Sequence, residues 1–172
     1  MTTIALLSHA EALSAVAELS LVLVDSVDNG ASVGFLPPLA GEEAAAYWRD
    51  VCADVERGRV LLFGAQVDGQ LVGTVQLQPS PKANGSHRAE VAKLLVHTAF
   101  RRRGIARGLM AALEAEARRM QRTTLVLDTR QGDPSELLYT GIGYVKAGAI
   151  PAYCRSANGQ LDATVIYYKL LS

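Results

Sequence analysis

The stretch Arg101-Arg102-Arg103-Gly104-Ile105-Ala106 decides the fold, because it joins two segments with different periodicities. The six residues before the intervening loop, Val91 to Val96, are almost all apolar and predict a buried strand. After the turn, apolar residues recur at helical spacing: Ile105, Leu109, Leu113, Ala117 and Met120. The order is therefore strand, basic turn, helix. Such a turn leaves backbone N–H groups unpaired at a helix N-terminus, where they and the helix dipole attract anions.

The small residues of the turn indicate which anion would fit. Gly104 and Ala106 have little or no side chain, so a phosphate group could approach the backbone closely. The Gly-Lys-Ser/Thr ending of a nucleotide P-loop is absent, and so is the G-x-G-x-x-G fingerprint of dinucleotide-binding proteins. The turn therefore predicts a pyrophosphate site of a different kind.

The turn resembles the Q/R-x-x-G-x-G/A element of the GNAT N-acetyltransferases, with Arg101, Gly104 and Ala106 at its defining positions. Residues 138–144 (LYTGIGY) are similar to the Y-x-x-x-G-F/Y element of the same family. Within the family, further segments resemble the tabtoxin resistance acetyltransferases: residues 30–35, 88–91, 93–94, 127–129, 153–154 and 163–167, with Pro151 and Lys169. The resemblance covers patches from about residue 30 to residue 170.

This resemblance implies a fold and a co-substrate. We expect residues 1–172 to form a single α/β GNAT domain. Its mixed, mostly antiparallel central sheet would be splayed at the acetyl-CoA site and flanked by helices. The pattern of the chain agrees with an α/β order. It predicts helices over about 10–25, 42–57, 105–120 and 134–140, and strands over 60–67, 71–77, 91–96, 124–128, 144–149 and 164–170.

Acetyl transfer to an amine needs a base, because a primary amine is mostly protonated at neutral pH. The resemblance assigns proton-accepting roles to Glu90 and Asp128, each on a candidate strand. The alternative is that Glu90 pairs with Arg88 or Lys93, and that Asp128 caps the following turn. Tyr139 matches the family tyrosine that protonates the departing thiolate; otherwise it is a packed aromatic residue.

The resemblance also assigns the cofactor-binding residues. Leu94, Leu95 and Val96 would pair through their backbone with the pantetheine arm, and an N–H near Leu95 or Val96 would polarise the thioester carbonyl. The turn, Arg101, Arg102, Arg103, Gly104, Ile105 and Ala106, would hold the pyrophosphate. The chain departs from the family pattern twice: Thr98 replaces a common proline, and Gly132 replaces an asparagine that contacts pantetheine. Ser135 could supply a hydroxyl in place of that asparagine.

The acceptor is expected to be a small primary amine, with an amino-acid-like antimetabolite or toxin favoured by the resemblance. Phe35 and Tyr153 are the candidate pocket walls, and Arg155 beside Tyr153 would suit a carboxylate. Two other functions stay open. One is a protein or peptide acetyltransferase, which would need an open groove. The other is a non-catalytic acyl-CoA-binding sensor, which would not need the acids or the tyrosine.

Composition argues against other classes of function. The chain has 17 basic and 17 acidic residues, so no net charge favours nucleic acid or an anionic membrane. Its 2 cysteines have no metal-binding spacing, and we expect no metal site. Residues 1–7 carry no positive charge before an apolar stretch, which is a poor signal peptide and makes the cytoplasm the expected location. A homodimer is only a family expectation.

Overall fold

A seven-stranded sheet with helices on both faces organises the computed structural model, which describes residues 1–172. The strands are β1 (Thr2–Leu7), β2 (Leu61–Val67), β3 (Gln70–Pro79), β4 (Arg88–Val96), β5 (Thr124–Arg130), β6 (Val145–Arg155) and β7 (Leu161–Leu170). The helices are α1 (His9–Ser14), α2 (Val16–Asp28), α3 (Gly41–Glu56), α4 (Ile105–Arg119) and α5 (Ser135–Gly141). The spatial order is β1-β2-β3-β4-β5-β7-β6, and only β4 and β5 run parallel. The predicted mixed, mostly antiparallel sheet is confirmed.

Apolar side chains fill both faces of the sheet. On one face α4 packs Leu109 and Leu113 against strand residues such as Leu125. On the other face α2 and α3 bury Leu19 and Trp48. Because β3 lies between these two layers, all of residues 71–77 are buried. The two polar side chains among them are hydrogen-bonded, Thr74 to the Phe63 carbonyl and Gln76 to the Tyr47 hydroxyl. No helix combines the length and the apolar character needed to cross a membrane.

The central feature of the sheet is an opening between β4 and β5. These strands pair only where residues 88–90 meet residues 124–126. Beyond that point β4 stays paired with β3, and β5 stays paired with β7. A bulge on β4 occurs at the same place. Leu95 faces Thr74 and Ala92 faces Gln76, so two β4 residues, 93 and 94, lie opposite a single β3 residue. A bulge bends its strand, and this one accompanies the separation of β4 from β5.

The structure differs from the sequence-based elements mainly at the two ends of the chain. Thr2–Leu7 forms the edge strand β1, paired with β2, which the sequence pattern did not indicate. The helix predicted over 10–25 is two helices that break at Ala15, and α1 begins with a capping box between Ser8 and Glu11. The last two strands extend well beyond their predicted bounds as a long hairpin. The pairing of β1 with β2 joins residues about 60 positions apart, so the sequence near β1 gives no clear signal for a strand.

Candidate functional site

The two predicted acids lie on the same face of the sheet, one on each strand that borders the opening. Glu90 pairs with Val126, and Asp128 follows Val126 by two residues, so strand alternation directs both carboxylates to one face. Leu125 and Leu127 point to the opposite face and are buried against α4. Both acidic residues are exposed. The sheet therefore presents two carboxylates at the point where its strands separate.

Asp128 is held in place by a buried hydroxyl. Thr164 Oγ1 on β7 donates to Asp128 Oδ2 at 2.7 Å and also lies 3.0 Å from the carbonyl oxygen of Thr129. Thr164 is only 2% exposed, so its position is fixed by packing. The contact orients the carboxylate and leaves its second oxygen without a protein hydrogen-bond partner. The sequence did not single out Thr164, because it is 36 residues from Asp128 along the chain.

Tyr139 packs on the other face of the sheet, in the core shared with α4. It lies on α5, is 7% exposed, and packs against Tyr144 and Tyr167 with ring centroids 5.8 and 6.1 Å away. Burial, and to a smaller extent the Asp128 carboxylate, raise the pKa of Tyr139 well above its usual value. The hydroxyl therefore keeps its proton throughout the physiological range and can donate it.

The basic turn forms an uncapped helix N-terminus. Gly104 is the N-cap of α4 with a left-handed φ of 78°, and no side chain caps the helix. The first backbone bond of the helix runs from Gly108 N to the Gly104 carbonyl, so the N–H groups before Gly108 have no acceptor within the helix. Open backbone donors at the positive end of a 15-residue helix fit the pyrophosphate of acetyl-CoA.

The three arginines of the turn have different surroundings. Arg101 Nε donates to the Val96 carbonyl at 3.0 Å. Arg103 Nη2 donates to the Ala99 carbonyl at 3.2 Å, and its guanidinium stacks over Phe100 at 5.1 Å. Arg102 is exposed and has a φ of 63°. Two of the three side chains thus stabilise the turn itself, and Arg102 is the one that faces solvent freely.

The register of β4 corrects one predicted cofactor contact. His97 N donates to the Val72 carbonyl at 2.9 Å. Leu95, two residues before His97 on β4, faces Thr74 on β3. Antiparallel alternation therefore directs the backbone groups of Leu95 toward β3, away from the opening, while those of Val96 face the opening. Leu94 lies in the bulge. Val96, and not Leu95, has the backbone orientation needed to contact a ligand between β4 and β5.

Both departures from the family pattern have a structural reason. Thr98 donates its backbone N–H and its hydroxyl to Asp25 on α2, each at 2.7 Å, and a proline could make neither bond. Gly132 has a φ of 87°, a conformation that asparagine adopts less readily than glycine, and its N–H donates to Glu136 at 2.7 Å. Ser135, the proposed substitute for that asparagine, lies 2.6 Å from the Thr129 hydroxyl.

A second group of residues lines the same face of the sheet beneath α3. Phe35 packs edge-on against Tyr47 at 5.3 Å, and the Tyr47 hydroxyl accepts a hydrogen bond from Gln76 at 2.9 Å. Lys93 Nζ lies over the Tyr47 ring, 5.6 Å from its centroid. Of this group only Phe35 was predicted as a pocket wall. The others come from separate elements and carry no shared local motif.

The other predicted pocket residues lie at the rim. Tyr153 is 56% exposed on β6, in a stretch where the pairing with β7 is irregular. Arg155 donates to the Gly159 carbonyl at 2.9 Å and so serves the hairpin turn. The expected carboxylate-binding role of Arg155 is therefore not supported by its position.

Comparison with known proteins identifies the family. The model of the Acetyltransferase (GNAT) family matches residues 24–144. An uncharacterized N-acetyltransferase from Azospirillum brasilense is 34% identical over 109 residues, which are 62% of this chain and 63% of that protein. An N-acetyltransferase from Staphylococcus aureus Mu50 superimposes with a TM-score of 0.82 at 17% identity, covering 100% of this chain and 99% of the other. The yncA protein of Salmonella typhimurium, solved with its cofactor acetyl-CoA, gives 0.80 at 18% identity and covers 100% and 95%. With its family match, split sheet and uncapped α4, this chain belongs to the GNAT acetyltransferase family.

Proposed function

We propose that the protein transfers an acetyl group from acetyl-CoA to the primary amine of a small molecule, directly and within a ternary complex. The observation that supports the proposal is that Asp128 borders the opening on one face of the sheet, while Tyr139 packs on the other face, close enough for the Asp128 carboxylate to raise its pKa. A base and an acid on either side of the reacting carbonyl are what an amine and a thiolate leaving group require.

The roles of the residues follow from their surroundings. Asp128, oriented by Thr164 and assisted by Glu90, takes a proton from the acceptor ammonium. The Val96 N–H donates to the thioester oxygen as negative charge develops on it. The amine nitrogen then bonds to the thioester carbon, and Tyr139 protonates the sulfur as the carbon–sulfur bond breaks. Tyr139 regains its proton as the new amide nitrogen loses its second one. The N–H groups at the start of α4 bind the pyrophosphate and so fix the position of the thioester.

The finer substrate class also belongs to this proposal. The segments that resemble tabtoxin resistance acetyltransferases favour an amino-acid-like antimetabolite or toxin as acceptor. The aromatic residues Phe35 and Tyr47 beneath α3 are consistent with a confined pocket for a small molecule. A protein substrate or a sensor role would be revealed by the following experiment.

The test is release of the CoA thiol from acetyl-CoA in the presence of single acceptors. The panel contains amino acids, dipeptide-like toxins, aminoglycosides, polyamines and lysine peptides. A strong response to one small amine supports the proposal. A response confined to peptides supports the protein acetyltransferase, and tight acetyl-CoA binding with no response to any amine supports the sensor.

The pH dependence of turnover tests the state of Tyr139. Since its pKa is raised, the protonated form persists to a higher pH than in an ordinary tyrosine. We expect kcat to rise with pH as the acceptor amine loses its proton, and then to stay level through the ordinary tyrosine pKa of ~10. The measurement is the pH profile of kcat between about pH 6 and about pH 10.5. A decline in kcat centred at pH ~10 in the wild-type protein, and absent in Tyr139→Phe, would contradict the raised pKa of Tyr139.

The two carboxylates should contribute unequally. Because Asp128 is anchored and lies close to Tyr139, we expect Asp128→Asn to lower kcat/KM by about 10²- to 10⁴-fold at pH 7. Glu90→Gln should have a smaller effect. Raising the pH should restore part of the Asp128→Asn activity, because more of the free amine is then available. A larger loss in Glu90→Gln than in Asp128→Asn would reverse the assignment.

A further inference from the structure

Lys93 has a backbone conformation that lysine rarely adopts. Its φ is 52°, in the left-handed region, within the bulge of β4. This backbone conformation is unfavourable for any residue other than glycine. The bulge turns the side chain toward the loop before α3, where Nζ would lie 3.9 Å from a Cβ placed on Gly34. The Lys93 ammonium is thus directed into the proposed acceptor pocket, over the Tyr47 ring.

The Lys93 ammonium has no hydrogen-bonding or ion-pair partner, unlike two arginines at the rim of the site. Arg130 donates to Asp133, Ser156 and the Gly30 carbonyl. Arg155 donates to the Gly159 carbonyl. Lys93, by contrast, forms no ion pair within 4.0 Å and no hydrogen bond, although its side chain is half-buried. Burial without a hydrogen-bonding partner is unfavourable for a charged group.

The electrostatic surroundings agree with this description. Burial lowers the pKa of Lys93, and the Asp128 and Glu90 carboxylates oppose that effect without cancelling it. These acids are close enough to act on the ammonium but do not bind it directly. An anionic ligand that reached Nζ would add the missing partner and favour the charged form of the lysine.

We propose that Lys93 is a specificity-determining residue that binds the carboxylate of an amino-acid-like acceptor. Its ammonium and the Asp128 carboxylate would then hold the two charged ends of one zwitterion, the acid at Lys93 and the amine at Asp128. Phe35 and Tyr47 would contact the acceptor side chain or backbone between them. The inference rests on the proposed acetyl transfer and adds the residue that recognises the carboxylate of the acceptor.

The experiment compares L-amino acids with their own α-carboxamides, which keep the amine and lose the negative charge. Binding is measured by calorimetry with CoA present, so that no transfer occurs, and kcat/KM is measured separately with acetyl-CoA. The wild-type protein should bind the best acid about tenfold or more tightly than its amide, as expected for a hydrogen bond to a charged group. Lys93→Met should abolish that preference by raising KM for the acid, with a smaller effect on kcat.

Two further variants serve as controls. Lys93→Arg keeps the positive charge and should retain part of the preference for the acid. That result would show that the loss of preference in Lys93→Met comes from the missing charge and not from misfolding. Lys82→Met removes an exposed lysine in the loop before β4. It should leave the acid-to-amide ratios of binding affinity and of kcat/KM unchanged. Circular dichroism of every variant checks that the fold is intact.

The possible outcomes separate this inference from the proposed function. Acids that bind better than amides, but are not acetylated, support the carboxylate site and contradict acetyl transfer to amino acids. Amides acetylated as well as acids leave the transferase intact and overturn the role of Lys93. Persistence of the preference in Lys93→Met overturns it too, as does mass-spectrometric detection of acetyl on Lys93 itself, since the lysine would then be an acceptor.

Discussion

Tyr139→Phe is expected to lower kcat by about 10²- to 10⁴-fold while changing the Kd for acetyl-CoA by less than about threefold. The substitution removes only the hydroxyl that would protonate the departing thiolate, and the ring still fills its place between Tyr144 and Tyr167. The fold and the cofactor site at α4 should therefore be unaffected. Single-turnover rates and calorimetric titration with acetyl-CoA measure the two effects separately.

Tyr144→Phe provides the matched control. Tyr144 is also a buried tyrosine, but its ring lies beside the ion pair between Lys169 and Glu114 of α4, with Lys169 Nζ 5.5 Å from the ring centroid. Its loss should leave kcat within about threefold of the wild-type value. If Tyr139→Phe and Tyr144→Phe have equal effects on kcat, Tyr139 is a packing residue and not the proton donor.

Gly104→Val is the second change with a large expected effect. We expect the Kd for acetyl-CoA to rise by at least about 100-fold, because a branched side chain would keep the pyrophosphate away from the free N–H groups, and each charge-assisted hydrogen bond is worth about 1.5–3 kcal/mol. A Cβ at Gly104 would meet no protein atom within 4 Å, so it would project into the open space where the proposal places the pyrophosphate. The valine would also strain a backbone with a φ of 78°.

Gly58→Val separates ligand blocking from backbone strain. Gly58 follows α3, has a φ of 69°, and likewise has no protein atom within 4 Å of a Cβ. Each valine should lower the free energy of unfolding by a similar amount, roughly 1–2 kcal/mol. Only Gly104→Val should weaken acetyl-CoA binding. Similar affinities in the two variants would show that α4 does not bind the pyrophosphate.

The local features of the site were predictable because they depend on neighbouring residues. A strand, a basic turn with Gly104 and an amphipathic helix follow one another directly, so periodicity alone indicates the uncapped N-terminus of α4. The family resemblance added Glu90, Asp128 and Tyr139 as candidates. Glu90 and Asp128 border the opening, and the chemical roles of all three residues stay predictions.

Contacts between distant segments were not predictable from the sequence. Thr164 anchors Asp128 from β7, and Asp25 on α2 receives both donors of Thr98. Lys93 meets Tyr47 because a bulge displaces one strand residue toward α3. None of these pairs has a local spacing rule, since each depends on how whole elements pack. For the same reason Leu95 was predicted as a cofactor contact, although its register directs its backbone to β3.

The sequence by itself determined the α/β order of the chain, the basic turn at the start of a helix and the residue types available for acid–base chemistry, because each is a property of adjacent residues. The tertiary structure alone decided which strands separate, which face each acid occupies and which cation lies beside Tyr47. Strand pairing and bulges settle these points, since a one-residue change of register reverses the face and the hydrogen-bonding direction of every residue that follows.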